Sequence, residues 1–330
     1  MEPATIKSDA LQALAAGDFS MLAQRFLDAG FAVALPGPGM LQIKSADEVD
    51  RASVLLSVGV HGDETGPIDM LAQLLDGLSR QPGQLAVDLM ICVGNISAIK
   101  AGRRYIDADL NRMFRLDRGA LAGAAEAARA DRMIAATVDF FSEAKGTRWH
   151  LDLHTAIRPS TYPTFAIVPE LIAPKGKAAL TRWLGQAGIA AIIVNPTSSA
   201  TYSHFSAQHC GALATTVELG RVGVLGQNDL ALFVDVTLAL GGLLRATAPP
   251  EGVPVTTPVF TVAQQIIKQS DAFSMAFDGA TQNFTALPAG AVIATDGDTI
   301  YRVGPVEELV VFPNPDVRVG LRAVLMVVRQ

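Results

Sequence analysis

The sequence predicts an α/β fold: a mixed, largely parallel central sheet flanked by helices, followed by a small β-rich C-terminal domain. Three observations carry this. From Ser53 to about Arg245, short β-branched apolar runs alternate with longer stretches of helical spacing, the pattern of a layered α/β domain. The apolar runs are nearly continuous, as expected of strands covered on both faces in a largely parallel sheet. After Ala246 the pattern changes: Pro249, Pro250, Pro254 and Pro258 break any helix, and only short strand candidates follow. The expected boundary separates a domain of residues 1–247 from one of residues 248–330.

Taken in order, Phe31 to Ile43, with Pro36-Gly37-Pro38-Gly39 at its centre, reads as a hairpin. Strands are expected at Val54–Val60, Val87–Val93, Arg148–Leu153, Thr164–Val168, Ala190–Val194 and Leu213–Leu219. Between them Ile68–Leu78, Gly123–Phe141, Lys177–Gln186 and Asp229–Leu244 have helical spacing, and Pro67 suits a first helical turn. The most apolar of these stretches, Leu230–Leu244, contains Asp235 and falls short of the ~20 residues that cross a bilayer. It reads as a buried helix. Beyond the prolines, Val259–Val262, Ala291–Ala294, Thr299–Val303, Leu309–Phe312 and Ala323–Val328 are strands separated by Gly, Pro and Asp turns, including Asp296-Gly297.

Half of the 330 residues are apolar, ample for a sizeable core, which rules out intrinsic disorder. A net charge of −6 offers nothing with which to grip phosphate backbones or anionic lipid, so neither a nucleic-acid nor a membrane partner is expected. Cys92 and Cys210 are the only cysteines, too few for a disulfide framework. The segment Met1–Phe19 lacks the basic region and apolar run of a signal peptide. The expectation is a cytoplasmic protein; its oligomeric state is open.

Four segments carry chemistry. The first strand runs into His61-Gly62-Asp63-Glu64 and then a helix. Ligands in open α/β sheets bind beyond the carboxyl ends of strands, and a His and a Glu three apart, with Gly62 letting the backbone turn, can face one metal ion. Alone, H-x-x-E reads better as polar loop residues capping a helix. In Trp149-His150-Leu151-Asp152-Leu153-His154, period-two alternation places His150, Asp152 and His154 on one face. His154 then completes a two-His, one-carboxylate set suited to zinc, and Asp152 suits an acceptor that orients an imidazole. The competing reading makes both histidines hydrogen-bonded core residues, and it is preferred for His150. Arg103, Arg104, Arg112 and Arg115 lie within 13 residues, a cationic patch suited to carboxylates, although Asp107 and Asp109 could neutralise it. Finally, the strand Ala214–Leu219 delivers Glu218 just before Gly220. Beside a metal, such a Glu suits a general base that later acts as general acid; without metal ligands it is one more strand-end carboxylate.

Other templates fail. The chain has no G-x-x-x-x-G-K-[ST] phosphate loop, no G-x-S-x-G elbow and no strand-linked G-x-G-x-x-G. Cys210 beside His209 is a poor nucleophile–base pair, because neighbours in sequence need not face each other.

Taken in order, His61-Gly62-Asp63-Glu64, Arg104-Tyr105 with Asp109-Leu110-Asn111-Arg112, Asp152-Leu153-His154 and Val217-Glu218-Leu219-Gly220 resemble the aspartoacylase and succinylglutamate desuccinylase branch of the carboxypeptidase A-like zinc hydrolases. Within it, Asp152 to Arg158, Thr201 to Ser206 and Val311-Phe312-Pro313-Asn314-Pro315 look most like the desuccinylase side, and the likeness covers nearly the whole chain. The resemblance implies a zinc carboxypeptidase-like catalytic domain holding one zinc ion per chain. It implies a small anionic N-acyl amino acid as substrate and, on the desuccinylase side, hydrolysis of N2-succinylglutamate to succinate and glutamate in arginine catabolism. It implies His61, Glu64 and His154 as zinc ligands, Glu218 as catalytic base and Arg104 as the group that polarises the scissile carbonyl. Asn111 and Arg112 match the pair that holds a substrate carboxylate, and Arg158 is expected to pair with another. Two departures stand out. Asn95-Ile96 replaces a frequent Asn-Pro, and Gln208 stands where aspartoacylases carry an arginine, which counts against N-acetylaspartate. The alternatives are a deacylase of another N-acyl amino acid and a non-catalytic module that binds an acidic metabolite.

Overall fold

Two short helices that the apolar spacing did not reveal open the described chain, α1 (Asp9–Ala16) and α2 (Ser20–Asp28). Ser8 caps α1 by accepting the Leu11 N–H, and Gly17 ends it in the left-handed region at φ 70°. This computed structural model describes residues 8–45, 47, 49–247, 257–278 and 280–330. The expected domain boundary at 247/248 and most of the proline-rich segment lie outside the described residues. The expected hairpin forms from β1 (Ala32–Gly37) and β2 (Met40–Lys44), paired antiparallel.

The body of the chain follows as β3 (Ser53–Val58), α3 (Gly66–Arg80), β4 (Asp88–Val93), α4 (Ile96–Ala101), α5 (Ala125–Ser142), β5 (Arg148–Ala156), β6 (Thr164–Pro169), α6 (Pro174–Gln186), β7 (Ala191–Asn195), α7 (Tyr202–Cys210), β8 (Leu213–Arg221) and α8 (Val234–Leu244). The pairs β3/β4, β3/β5, β5/β8 and β6/β7 are parallel, whereas β6 meets β8 antiparallel. Residues of β3, β5 and β7 are buried on both faces, which explains the nearly continuous apolar runs of β3 and β7, whereas β5 buries His150, Asp152 and His154 on one face. The expected burial of Leu230–Leu244 needs correction. Leu232 and Leu238 are 72% and 69% exposed, because a short 3₁₀ turn precedes α8 and only the face holding Val236, Leu240 and Leu244 packs inward. Among the described residues no helix is long and apolar enough to cross a membrane.

The C-terminal segment is antiparallel and β-rich: β9 (Val259–Ile267), β10 (Phe273–Met275), β11 (Thr285–Leu287), β12 (Val292–Asp296), β13 (Thr299–Arg302), β14 (Glu308–Val311) and β15 (Arg322–Arg329). It does not hang free of the first domain. β9 pairs parallel with β7, so one twelve-stranded sheet runs β1-β2-β4-β3-β5-β8-β6-β7-β9-β15-β14-β11. Phe165, Ala191 and Ile193 share a core with Phe260, Phe284, Val311 and Leu325. Removing the chain after Ala246 would strip that core and open the β7 edge, leaving an exposed apolar strand prone to association.

Candidate active site

The carboxyl ends of β3, β5 and β8 converge on one cleft of about 300 Å³. After β3 the chain turns through His61 to Glu64 and enters α3. Gly62 is required there: a Cβ would fall 2.2 Å from the Ala98 carbonyl carbon and 2.6 Å from the Arg103 oxygen. The Gly62 N–H donates to the Arg104 oxygen at 3.1 Å, locking the His61 loop onto the arginine loop. In the parallel β5/β8 register His154 stands opposite Glu218, which puts imidazole and carboxylate on the same face.

His61, Glu64 and His154 meet. His61 Nδ1 lies 2.8 Å from Glu64 Oε1 and His154 Nδ1 lies 2.8 Å from Glu64 Oε2, all three residues being buried. One ligand atom from each falls within 4.8 Å of the others. On their far sides, His61 Nε2 is 2.9 Å from Asp109 Oδ1 and His154 Nε2 is 3.0 Å from Asp152 Oδ2. Each ring is bracketed by carboxylates, Glu64 facing Nδ1 and an aspartate facing Nε2. With the Nε2–H donated outward, Nδ1 presents its lone pair to Glu64. Two lone pairs against a carboxylate repel unless positive charge lies among them, supplied by two protons or by one divalent cation. The donor set therefore fits a metal with nitrogen and oxygen ligands.

The same competition shows in proton affinities. Burial and Arg104 work against protonation of His61, yet Glu64 and Asp109 hold it above its ordinary value. Burial opposes protonation of His154 too, but Asp152 and Glu64 hold it well above. Glu64, despite burial, is held well below the usual carboxylate range by His61 and His154. Burial first, and Glu64 second, push the Glu218 carboxyl up to about 7, the range in which a general base works at neutral pH. Glu218 Oε2 is buried without a hydrogen-bond partner among the described residues, and the side chain lines the cleft.

His150 is a satisfied core residue. Its Nε2 lies 2.9 Å from Ser57 Oγ and its Nδ1 lies 2.6 Å from Ser206 Oγ, while Ser57 donates to Asp152 Oδ1 at 2.5 Å. A neutral ring donating through Nε2 to Ser57 braces Asp152 behind His154, while the Ser206 hydroxyl stands between Nδ1 and the Ser203 oxygen, 3.0 Å from the latter. Burial drops its pKa from 6.5 to about 4. The unfolded chain therefore takes up a proton that the native state refuses, and stability falls as pH drops below 6.5 toward 4. From about pH 7 to about pH 5 this group should cost about 2 kcal/mol. In His150→Gln that share of the acid sensitivity of the urea midpoint should vanish; an unchanged pH slope would count against the assignment.

The arginine loop owes its shape to a carboxylate that the sequence reading passed over. Buried Glu126 on α5 accepts the N–H groups of Ile106 (2.7 Å) and Ala108 (3.2 Å) and the Asn95 side chain (3.1 Å). Arg104 Nη1 thereby reaches Glu64 Oε1 at 2.8 Å. Asn111 Oδ1 accepts the Tyr202 N–H at 3.0 Å, leaving its amide hydrogens toward the cleft, and Arg112 Nη2 lies 3.8 Å from Asp109. Arg158 lines the same cleft. Arg103 is exposed and outside the cleft lining. Asp109, expected only as a neutralising charge, bonds His61. The C-terminal segment adds Asn283, Phe312 and Arg322 to the lining; Phe312 belongs to the Val311–Pro315 stretch that carries the resemblance, whereas no local pattern marked Asn283 or Arg322.

The family model for the succinylglutamate desuccinylase/aspartoacylase catalytic domain matches residues 50–242. That match decides the family. The chain belongs to the succinylglutamate desuccinylase/aspartoacylase family. The AstE/AspA barrel-sandwich hybrid domain matches residues 256–330. The succinylglutamate desuccinylase of Burkholderia cenocepacia is 46% identical over 300 residues, covering 88% of this chain and 86% of the relative. Crystal structures of succinylglutamate desuccinylases from Vibrio parahaemolyticus and Vibrio cholerae are each 32% identical. They superpose with TM-scores of 0.84 and 0.83, over 91% and 92% of this chain and 88% of each of theirs.

Proposed function

We propose that this family member hydrolyses N2-succinyl-L-glutamate to succinate and L-glutamate, with one zinc ion per chain held by His61, Glu64 and His154. The observation that supports this most is the pair of imidazole Nδ1 atoms turned onto one carboxylate, each backed by an aspartate, with Glu218 on the neighbouring strand, its Oε2 without a hydrogen-bond partner among the described residues. Zinc bound there supplies a Lewis acid that activates water and polarises a carbonyl at neutral pH. The residues do the rest. Glu218 Oε2 takes the proton of the attacking water and returns it to the departing glutamate nitrogen. Arg104 turns from Glu64 toward the carbonyl oxygen as negative charge grows on it, an interaction stronger in the transition state than in the ground state. Asn111, Arg112 and Arg158 receive substrate carboxylates, because planar guanidinium and carboxylate match in pairs.

Residues 1–247 would then form the catalytic domain and residues 248–330 the β-rich domain that closes the cleft. Two buried free cysteines accord with a reducing cytoplasm. Purified, zinc-supplemented protein should release glutamate from N-succinylglutamate, much faster than aspartate from N-acetylaspartate, and a chelator should abolish the reaction. Binding without cleavage would point instead to a sensing module, and chelator-resistant hydrolysis would contradict the metal mechanism.

A further inference from the structure

We propose that Arg322, carried into the cleft by β15, receives the side-chain carboxylate of the amino-acid half of the substrate and sets the preference for an acidic amino acid. This rests on the hydrolase reading above. Arg322 lies on the cleft wall with its guanidinium largely enclosed, yet among the described residues it has no hydrogen-bond or ion-pair partner. A guanidinium left without a counter-charge in such a place is costly unless an anion arrives. Burial, then nearby Arg112, drops its pKa to about 9, against the pull of Asp109. Asp109 is already engaged with His61 at 2.9 Å. Exposed Arg318 is engaged as well, donating to the Asp107 oxygen at 3.1 Å.

The site is built rather than incidental. Phe312 sits in the left-handed region at φ 54°, a strained conformation for a non-glycine residue that the surroundings must hold in place. The Asn283 Oδ1 holds it there by accepting the Phe312 N–H at 2.8 Å. The result is that the Phe312 ring lies 5.8 Å from the Arg322 guanidinium carbon, a cation–π support that orients the guanidinium. The Asn283 amide nitrogen is buried, has no hydrogen-bond partner among the described residues and belongs to a side chain lining the same cleft, offering a further donor. Charge matching selects the ligand. Glutamate carries two carboxylates a few bonds apart, and the cleft presents two neighbouring guanidiniums, Arg112 and Arg322, whereas the acyl half carries one.

The test compares kcat/KM for N-succinylglutamate and its neutral counterpart N-succinylglutamine. Arg322→Gln should reduce the former by about a hundredfold and leave the latter within about threefold. Arg322→Lys should restore part of the preference for the acid. Equal losses on both substrates, or a loss that instead tracks removal of the acyl carboxylate in N-butanoylglutamate, would overturn the inference. Should the wild type hydrolyse neither, titration calorimetry with glutamate and glutamine decides. Tighter glutamate binding that depends on Arg322 keeps the inference although the proposed reaction has failed; equal binding overturns it.

Discussion

Glu218→Gln should keep a full complement of metal and lose turnover by about a thousandfold or more. The substitution preserves shape but removes a proton acceptor that the cleft places on the strand beside His154, without a hydrogen-bond partner among the described residues. General acid–base catalysis contributes roughly a hundredfold to ten-thousandfold, and a residue that takes the proton from water and delivers it to the amine contributes at both steps. Because burial and Glu64 raise its carboxyl to about 7, the metal-free chain should bind a proton at Glu218 around neutral pH, and a cation among His61, Glu64 and His154 should release it. Single-turnover kinetics with elemental analysis of the same sample checks both parts. Glu218→Gln with wild-type turnover would remove Glu218 from the chemistry.

His61→Ala and His154→Ala should each lose the metal and, with it, all zinc-dependent stabilisation. A bound ion stabilises the native state by RT ln(1 + [L]/Kd), about 4 kcal/mol at a free concentration a thousand times Kd. Wild-type protein should therefore gain several degrees in melting temperature on adding zinc, whereas either variant should gain almost none. The variants also lose stability in the absence of metal. Removing His154 leaves Asp152 and Glu64, both buried, without the ring that links them, and breaking such a pair costs roughly 3 kcal/mol or more. Differential scanning calorimetry with and without zinc separates the two losses. An equal zinc-induced rise in wild type and variants would place the ion elsewhere.

The strands were legible because their physics is local. A strand covered on both faces is largely apolar except where its polar side chains serve a site, and β3 to β8 fall within a few residues of where the pattern places them. Helix α7 escaped notice because Tyr202, Ser203, His204 and Ser206 are buried polar or mixed residues with no apolar period. Its signals were the Thr201 cap and Gly211, in the left-handed region at φ 64°. His61, Glu64, His154 and Glu218 stood out because each sits near or just beyond the carboxyl end of a strand, and the fold brings all four into one cleft. Glu126 and Asp109 were hidden for a different reason: their work is holding loop N–H groups and an imidazole, which no spacing encodes. Arg322 lies 168 residues beyond His154 in the sequence. Only the continuation of the sheet from β7 through β9 to β15 brings it to the cleft.

Anomalous diffraction at the zinc edge, from crystals grown with zinc, puts the central claim to its most direct trial. A single strong peak should appear within bonding distance, about 2.0–2.2 Å, of Nδ1 of both histidines and of the Glu64 carboxylate. Zinc-edge density bound anywhere else in the chain, with Glu64 still hydrogen-bonded directly to both imidazoles, would contradict the account.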